Sequence, residues 1–112
     1  MTRQFMNTKQ LHKQWRTTFR EGVFERDGHK CKVCGNDGEL DAHHITDRHD
    51  LPNGGYVFSN GISLCSECHI KAGVHHVTGG KDWPDGFHPD DLYRLIHSSQ
   101  DLAYEDSKRL SE

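Results

Sequence analysis

The sequence predicts a small α+β fold: a strand–loop–strand–helix unit tied across its middle by cysteines and flanked by an N-terminal and a C-terminal helix. Three observations predict it. All four cysteines fall in two CxxC pairs, Cys31/Cys34 and Cys65/Cys68. Apolar residues recur at helical spacing before the first pair and in the last quarter of the chain, with short β-branched or aromatic runs between the pairs. The chain is also short and polar, with 112 residues of which 32% are hydrophobic and a mean hydropathy of −0.90. That length fits one domain, read as residues 1–112, with a basic helical segment at 1–27, a stapled core at 28–73 and a C-terminal loop and helix at 74–112. So small a core needs a further staple. The apolar runs are too short to span a membrane. Met1–Gln10 lacks the apolar stretch of a secretory signal, so a cytoplasmic protein is expected.

The first helix rests on Leu11, Trp15, Phe19 and Val23, one apolar stripe at four-residue spacing, widened by Phe24 and stopped at Asp27-Gly28. Glu39 to Ile45 reads as a strand, Leu51-Pro52-Asn53-Gly54-Gly55 as a turn, and Tyr56-Val57-Phe58 as the returning strand, broken by Ser59-Asn60-Gly61. Ile62-Ser63-Leu64 then leads into the second cysteine pair. A short helix is expected from about Glu67 to Gly73. After Gly79-Gly80 comes a loop, in which Trp83 is placed beneath the C-terminal segment. One last helix opens at Pro89 with Asp90 and Asp91 at its positive end. Leu92, Leu95, Ile96 and Leu102 form its apolar face, and a frayed polar tail follows from Glu105.

Two thiolates three positions apart on a tight turn reach one ion, and two such knuckles complete a tetrahedron. Cys31, Cys34, Cys65 and Cys68 are therefore expected to hold a structural zinc ion. Disulfides do not suit a reducing compartment, and no βαβ pattern surrounds either pair to support a redox role. Four protein ligands close such a site to substrate, so it contributes folding free energy rather than chemistry.

The formal net charge of −3 conceals a division. Up to Lys32 eight basic residues face three acidic ones, a net +5, and the remainder carries −8. A phosphate-facing surface on the N-terminal segment follows as one reading and a solvated helix face as the other, with Lys13, Arg16 and Arg20 as candidate contacts. Of the ten histidines, His43 and His44 close the first strand and His69 follows Cys68. Adjacent strand residues point to opposite sides, so His43 and His44 suit two different tasks. Neutral imidazole is a common metal ligand and a base matched to neutral pH. His12, His29, His49, His88 and His97 read as surface or half-buried residues. Trp15 and Phe19 read as core.

Leu40-Asp41-Ala42-His43-His44-Ile45, then Asn60-Gly61-Ile62-Ser63-Leu64-Cys65 and Cys68-His69, resemble the HNH nuclease motif. Phe24-Glu25-Arg26-Asp27-Gly28 running into Cys31 resembles its zinc-bearing branch, and the resemblance covers about Phe19 to Gly73. It implies the ββα-metal, or His-Me, finger fold. It also implies a DNA endonuclease in which His44 is the general base, His43 and His69 hold a catalytic divalent ion (Mg²⁺, Mn²⁺, Ni²⁺ or Zn²⁺), and Asn60 pins the loop and orients the base. The implied products are a 5′-phosphate and a 3′-hydroxyl.

Many relatives carry a further histidine one helical turn after the helix ligand, and Gly73 stands there. His75 and His76 follow at an offset that does not repeat that face, so the expectation is two protein ligands completed by phosphate and water. The other arrangement has His75 or His76 swinging in from the next segment. Asp41 is either a carboxylate orienting His43 or His69 or a solvated strand residue. Arg48 and His49 are either DNA contacts or loop charges. The implied partner is duplex DNA. The resemblance further allows a phage or mobile-element setting, with the host cytoplasm as location and a packaging or recombination machine as protein partner. The competing function is a catalytically silent zinc module that binds nucleic acid or protein.

Overall fold

A computed structural model describes residues 6–111, so Met1–Phe5, with the basic residue Arg3, and Glu112 lie outside the described residues. Helix α1 spans Thr8–Arg26. It starts at Asn7, whose side chain accepts from the Gln10 N–H while the Gln10 side chain accepts from the Asn7 N–H, a reciprocal cap that satisfies two otherwise orphaned donors. The helix stripe sinks progressively into the molecule: Leu11 and Trp15 are half-buried, and Phe19 and Val23 are buried. The last turn is bolted to the sheet. Arg26 donates two hydrogen bonds to Asp27 and one each to the carbonyls of Phe58 and Gly61, and Asp27 accepts from the Ser63 N–H.

Strands β1 (Leu40–His44) and β2 (Gly61–Cys65) form an antiparallel pair in which Leu40 lies opposite Cys65 and His44 opposite Gly61. This register sets the two CxxC pairs at one end of the hairpin and the histidine pair at the other. The returning strand is thus Gly61–Cys65, not Tyr56–Phe58. The latter residues are irregular, and a 3₁₀ turn covers Phe58–Asn60. Tyr56 and Val57 carry β-forming side chains, but their apolar surface is used in packing: Val57 is buried, and the Tyr56 ring lies edge-on to Phe19 and His44. Every residue of β2 is buried. At Gly61 a Cβ would stand 2.5 Å from Val23 Cγ2 and 2.7 Å from the Phe19 ring, so glycine lets the strand lie directly on α1.

Helix α2 covers Ser66–Val77, four residues beyond the expected end at Gly73. A single glycine in a helix costs only about 1 kcal/mol, too little to stop a segment anchored by the buried Cys68 and Ala72. The stop is Gly79-Gly80, both at positive φ, where the Gly80 N–H closes on the His75 carbonyl at 2.8 Å.

The single C-terminal helix expected from Pro89 is two helices, α3 (Pro89–Leu95) and α4 (Gln100–Arg109), broken where His97 takes φ 56° and Ser99 caps the second. Leu95 and Leu102 are largely exposed. Leu92, Tyr93, Ala103 and Ser107 are the buried residues. The segment after Glu105 is helical to Arg109 and tied down, because Asn53 donates to the Ser107 carbonyl and Ser59 to Asp106. The core joins Ile62 and Leu64 of β2 to Ile45, Leu51, Phe87, Leu92, Tyr93 and Ala103, with Leu40 of β1 packed against it. The α+β class, the hairpin-then-helix order, the four-cysteine cluster and the flanking helices are all as expected. Among the described residues no helix is long and apolar enough to cross a membrane.

Candidate active site

The four cysteines converge. Their sulfur atoms all lie within 4.8 Å of one another, with Cys34 and Cys65 at 3.6 Å. None is in a disulfide. The site favours thiolate: burial raises the Cys31 thiol, but the backbone N–H groups of Cys34, Cys65 and Val33 outweigh it and bring it to about 6. Burial together with the hydrogen-bonded thiols of Cys65 and Cys31 pushes Cys68 the other way. Thiols packed this closely cannot all ionise without a cation among them, and the all-sulfur donor set at one end of a hairpin suits zinc.

At the opposite end, His43 and His44 diverge as strand neighbours must. The His43 ring is only 3% exposed, stacks on His76 of α2 and meets His69 edge-on, both with ring centroids at 5.1 Å. The His44 ring turns towards α1, stacked on Phe19 at 4.5 Å with Tyr56 edge-on at 4.9 Å. Both still line one open hollow of about 290 Å³, together with Ala42, Asp47, Arg48, His69 and His76. Burial, reinforced by the neighbouring histidines, lowers His43 to about 3. Burial and then Arg48 lower His44 to about 4, partly offset by Asp47. Both imidazoles are therefore neutral at pH 7, with lone pairs free. The Nε2 atoms of both are buried without a hydrogen-bond partner. Buried polar atoms left unpaired are costly. Among imidazoles facing one another a divalent cation satisfies such an atom, and beside Phe19 and Tyr56 a water molecule does. The donor set thus fits a divalent ion at His43, although the histidine nitrogens are not drawn as tightly together as the cysteine sulfurs.

Two contacts fix the ring orientations. His69 Nδ1 lies 3.2 Å from an Asp41 carboxylate oxygen, a contact that turns Nε2 of the ring away from Asp41. His76 Nε2 donates to the His44 carbonyl at 2.9 Å. Because α2 continues to Val77, His76 sits two turns after His69 on the same face, a seven-residue spacing that was open to view in the sequence. His75 instead meets Trp83 and His88. Trp83 stands edge-on against His88, the cap residue of α3, and is otherwise exposed.

Asn60 does not enter the hollow. Fully buried, it donates from Nδ2 to the carbonyls of Thr46 and Gly55, and its Oδ1 accepts from the Thr46 N–H and the Tyr93 hydroxyl. It locks the chain just beyond His44 to the chain just before β2. Tyr93 and Thr46, whose hydroxyls meet at 2.6 Å, complete this lock. Neither is recognisable from motif spacing. Lys13, Arg16 and Arg20 are exposed on α1, with the Arg20 guanidinium over the Phe24 ring at 4.7 Å. Arg48 sits at the hollow's edge.

Residues 31–75 match the family model described as HNH endonuclease. The matched segment contains both cysteine pairs, both strands, the histidine pair, Asn60 and most of α2. It is similar to an HNH endonuclease domain, which suggests nuclease activity. No curated protein and no solved structure matches the chain.

Proposed function

We propose that this protein is a metal-dependent HNH endonuclease that hydrolyses phosphodiester bonds of DNA. The observation that carries the proposal is the pair of neutral, unpaired imidazoles of His43 and His44 in one hollow with His69 and His76. A silent zinc module has no use for buried nitrogens left without partners. In this reading His43, His69 and His76 hold the catalytic ion, with His76 supplying the face that Gly73 cannot. A divalent ion there supplies charge stabilisation to the phosphate and the leaving 3′ oxygen.

His44 takes a proton from the attacking water. The new bond forms between water oxygen and phosphorus, the bond to the 3′ oxygen breaks, and that oxygen is protonated from solvent, giving a 5′-phosphate and a 3′-hydroxyl. Phe19 and Tyr56 hold the His44 ring in place, and Asn60 acts at a distance by fixing the backbone on either side. A phage or mobile-element setting and a packaging or recombination partner extend this reading from the family resemblance alone. The test is incubation of the zinc-loaded protein with supercoiled plasmid across Mg²⁺, Mn²⁺, Co²⁺, Ni²⁺ and Zn²⁺. Nicked or linear DNA bearing 5′-phosphates supports the proposal. Binding without cutting in every metal supports the silent module instead.

A further inference from the structure

Two hollows adjoin the active site, and their linings have opposite character. One, of about 520 Å³, opens towards α3 and carries Asp47, Asp50 and Asp90 beside His75, His76 and His88. The other, of about 370 Å³, lies between α1 and the loop after β1. It is lined by His12, Arg16, Arg48, His49, Asn53, Gly54 and Tyr56, with no carboxylate among them. Arg48 lines both this hollow and the histidine hollow. Tyr56 joins them as well, with its ring against His44 and its hydroxyl 3.5 Å from Arg48 Nη1.

The arginines divide in the same way. Among the described residues Arg26, Arg94 and Arg109 each have a carboxylate within 4 Å, and Arg20 stacks on Phe24. Arg16 and Arg48 have no such partner, and both face the same hollow. The nearest acids on Arg48's own loop are Asp47 and Asp50. Asp47 Oδ1 is engaged by the His49 N–H, and neither acid lines this hollow. Lys9, Lys13, Arg16 and Arg20 are spaced four, three and four residues apart, so they form one stripe along α1 that runs out from the hollow.

Resting on the nuclease reading above, we infer that this basic hollow seats a phosphate next to the scissile one, gripped by Arg16 and Arg48, and that the strand leaves the active site along α1 rather than towards α3. Consecutive phosphates of a strand are one nucleotide step apart, with a rise of about 3.4 Å in duplex DNA. Arg48, which lines both hollows, therefore stands between the two phosphate positions. Guanidinium groups suit phosphate because their donors match its oxygens in pairs. Arg16 and Arg48 are positioning residues: they hold the strand and leave the chemistry to the histidines.

The test is fluorescence anisotropy with a short labelled duplex, without added catalytic metal, over a salt series, together with steady-state cleavage by the same proteins. The proteins are wild type, Arg16→Gln, Arg48→Gln, the double variant, and Arg94→Gln on the α3 side. Each phosphate contact contributes about 0.9 to the slope of log K against log salt. The double variant should therefore lose about 1.8 of slope and raise KM with kcat little changed, while Arg94→Gln behaves as wild type. A double variant with wild-type slope and KM, or an equal loss from Arg94→Gln, overturns the inference while leaving the nuclease reading intact. A wild type that neither binds nor cuts DNA overturns both.

Discussion

Replacing Asn60 with alanine removes four hydrogen bonds from a fully buried site. The Tyr93 hydroxyl retains Thr46 Oγ1 at 2.6 Å. The Thr46 N–H loses its acceptor, and the Thr46 and Gly55 carbonyls lose the Asn60 donor. Each buried group left unsatisfied costs about 1–3 kcal/mol, so the variant should lose about 3–9 kcal/mol from a typical total of about 5–15. Asn60→Asp tests the direction of the bonds. It keeps the shape and an acceptor for Thr46 and Tyr93, but sets a carboxylate oxygen against two carbonyls, so it should fare no better than alanine. Tyr93→Phe removes one donor and should cost about 0.5–1.5 kcal/mol. Urea unfolding of the zinc-loaded proteins measures all three, read as a fall in midpoint at constant slope. Should Asn60→Ala unfold within about 0.5 kcal/mol of wild type, the range typical of inert surface changes, the lock described here is not what holds the loop.

Four further outcomes follow from the same geometry. Chelation of the zinc, or Cys31→Ser, should collapse the circular dichroism signal and the cooperative unfolding transition, because the ion's binding free energy is folding free energy. Intact structure in the metal-free protein would show the cysteines to be dispensable. Asp41→Ala should weaken binding of the catalytic divalent ion about 10–100-fold in calorimetry of the zinc-loaded protein, the usual effect of losing a residue that orients a ligand. His76→Ala should weaken it at least as much, and unchanged affinity removes His76 from the site. Gly73→Ala should raise stability by about 1 kcal/mol, since nothing lies within 4 Å of a Cβ built there. A loss of stability would mean that the helix does not pass smoothly through Gly73.

What could be read in advance, and what could not, divides along physical lines. The α1 stripe, the cysteine knuckles and the histidine pair are local signals, carried by spacing along a single element. The identity of β2 was not local. Tyr56-Val57-Phe58 has the stronger strand composition, but pairing begins at Gly61, because only a residue without Cβ fits against Val23 and Phe19. Gly73 reads as a stop for α2, but tertiary anchoring through Cys68 and Ala72 outweighs its propensity. Continued to Val77, the helix brings His76 onto the His69 face. The break between α3 and α4 turns on His97 at positive φ and on the Ser99 cap, features that an apolar face of Leu92, Leu95, Ile96 and Leu102 masks. Asn60 holds its loop through four hydrogen bonds. Its partners Thr46 and Tyr93 are 33 residues or more from it or from each other in two of the three pairings, and no motif connects them.

The most direct test of the whole account is the plasmid-cutting rate of His44→Ala beside wild type, at matched zinc content and with matched thermal unfolding curves. A positioned general base contributes about 10²–10⁴-fold, so the variant should cut slower by that factor while binding DNA as wild type does. A folded His44→Ala that cuts as fast as wild type would contradict the central claim that this imidazole activates the water.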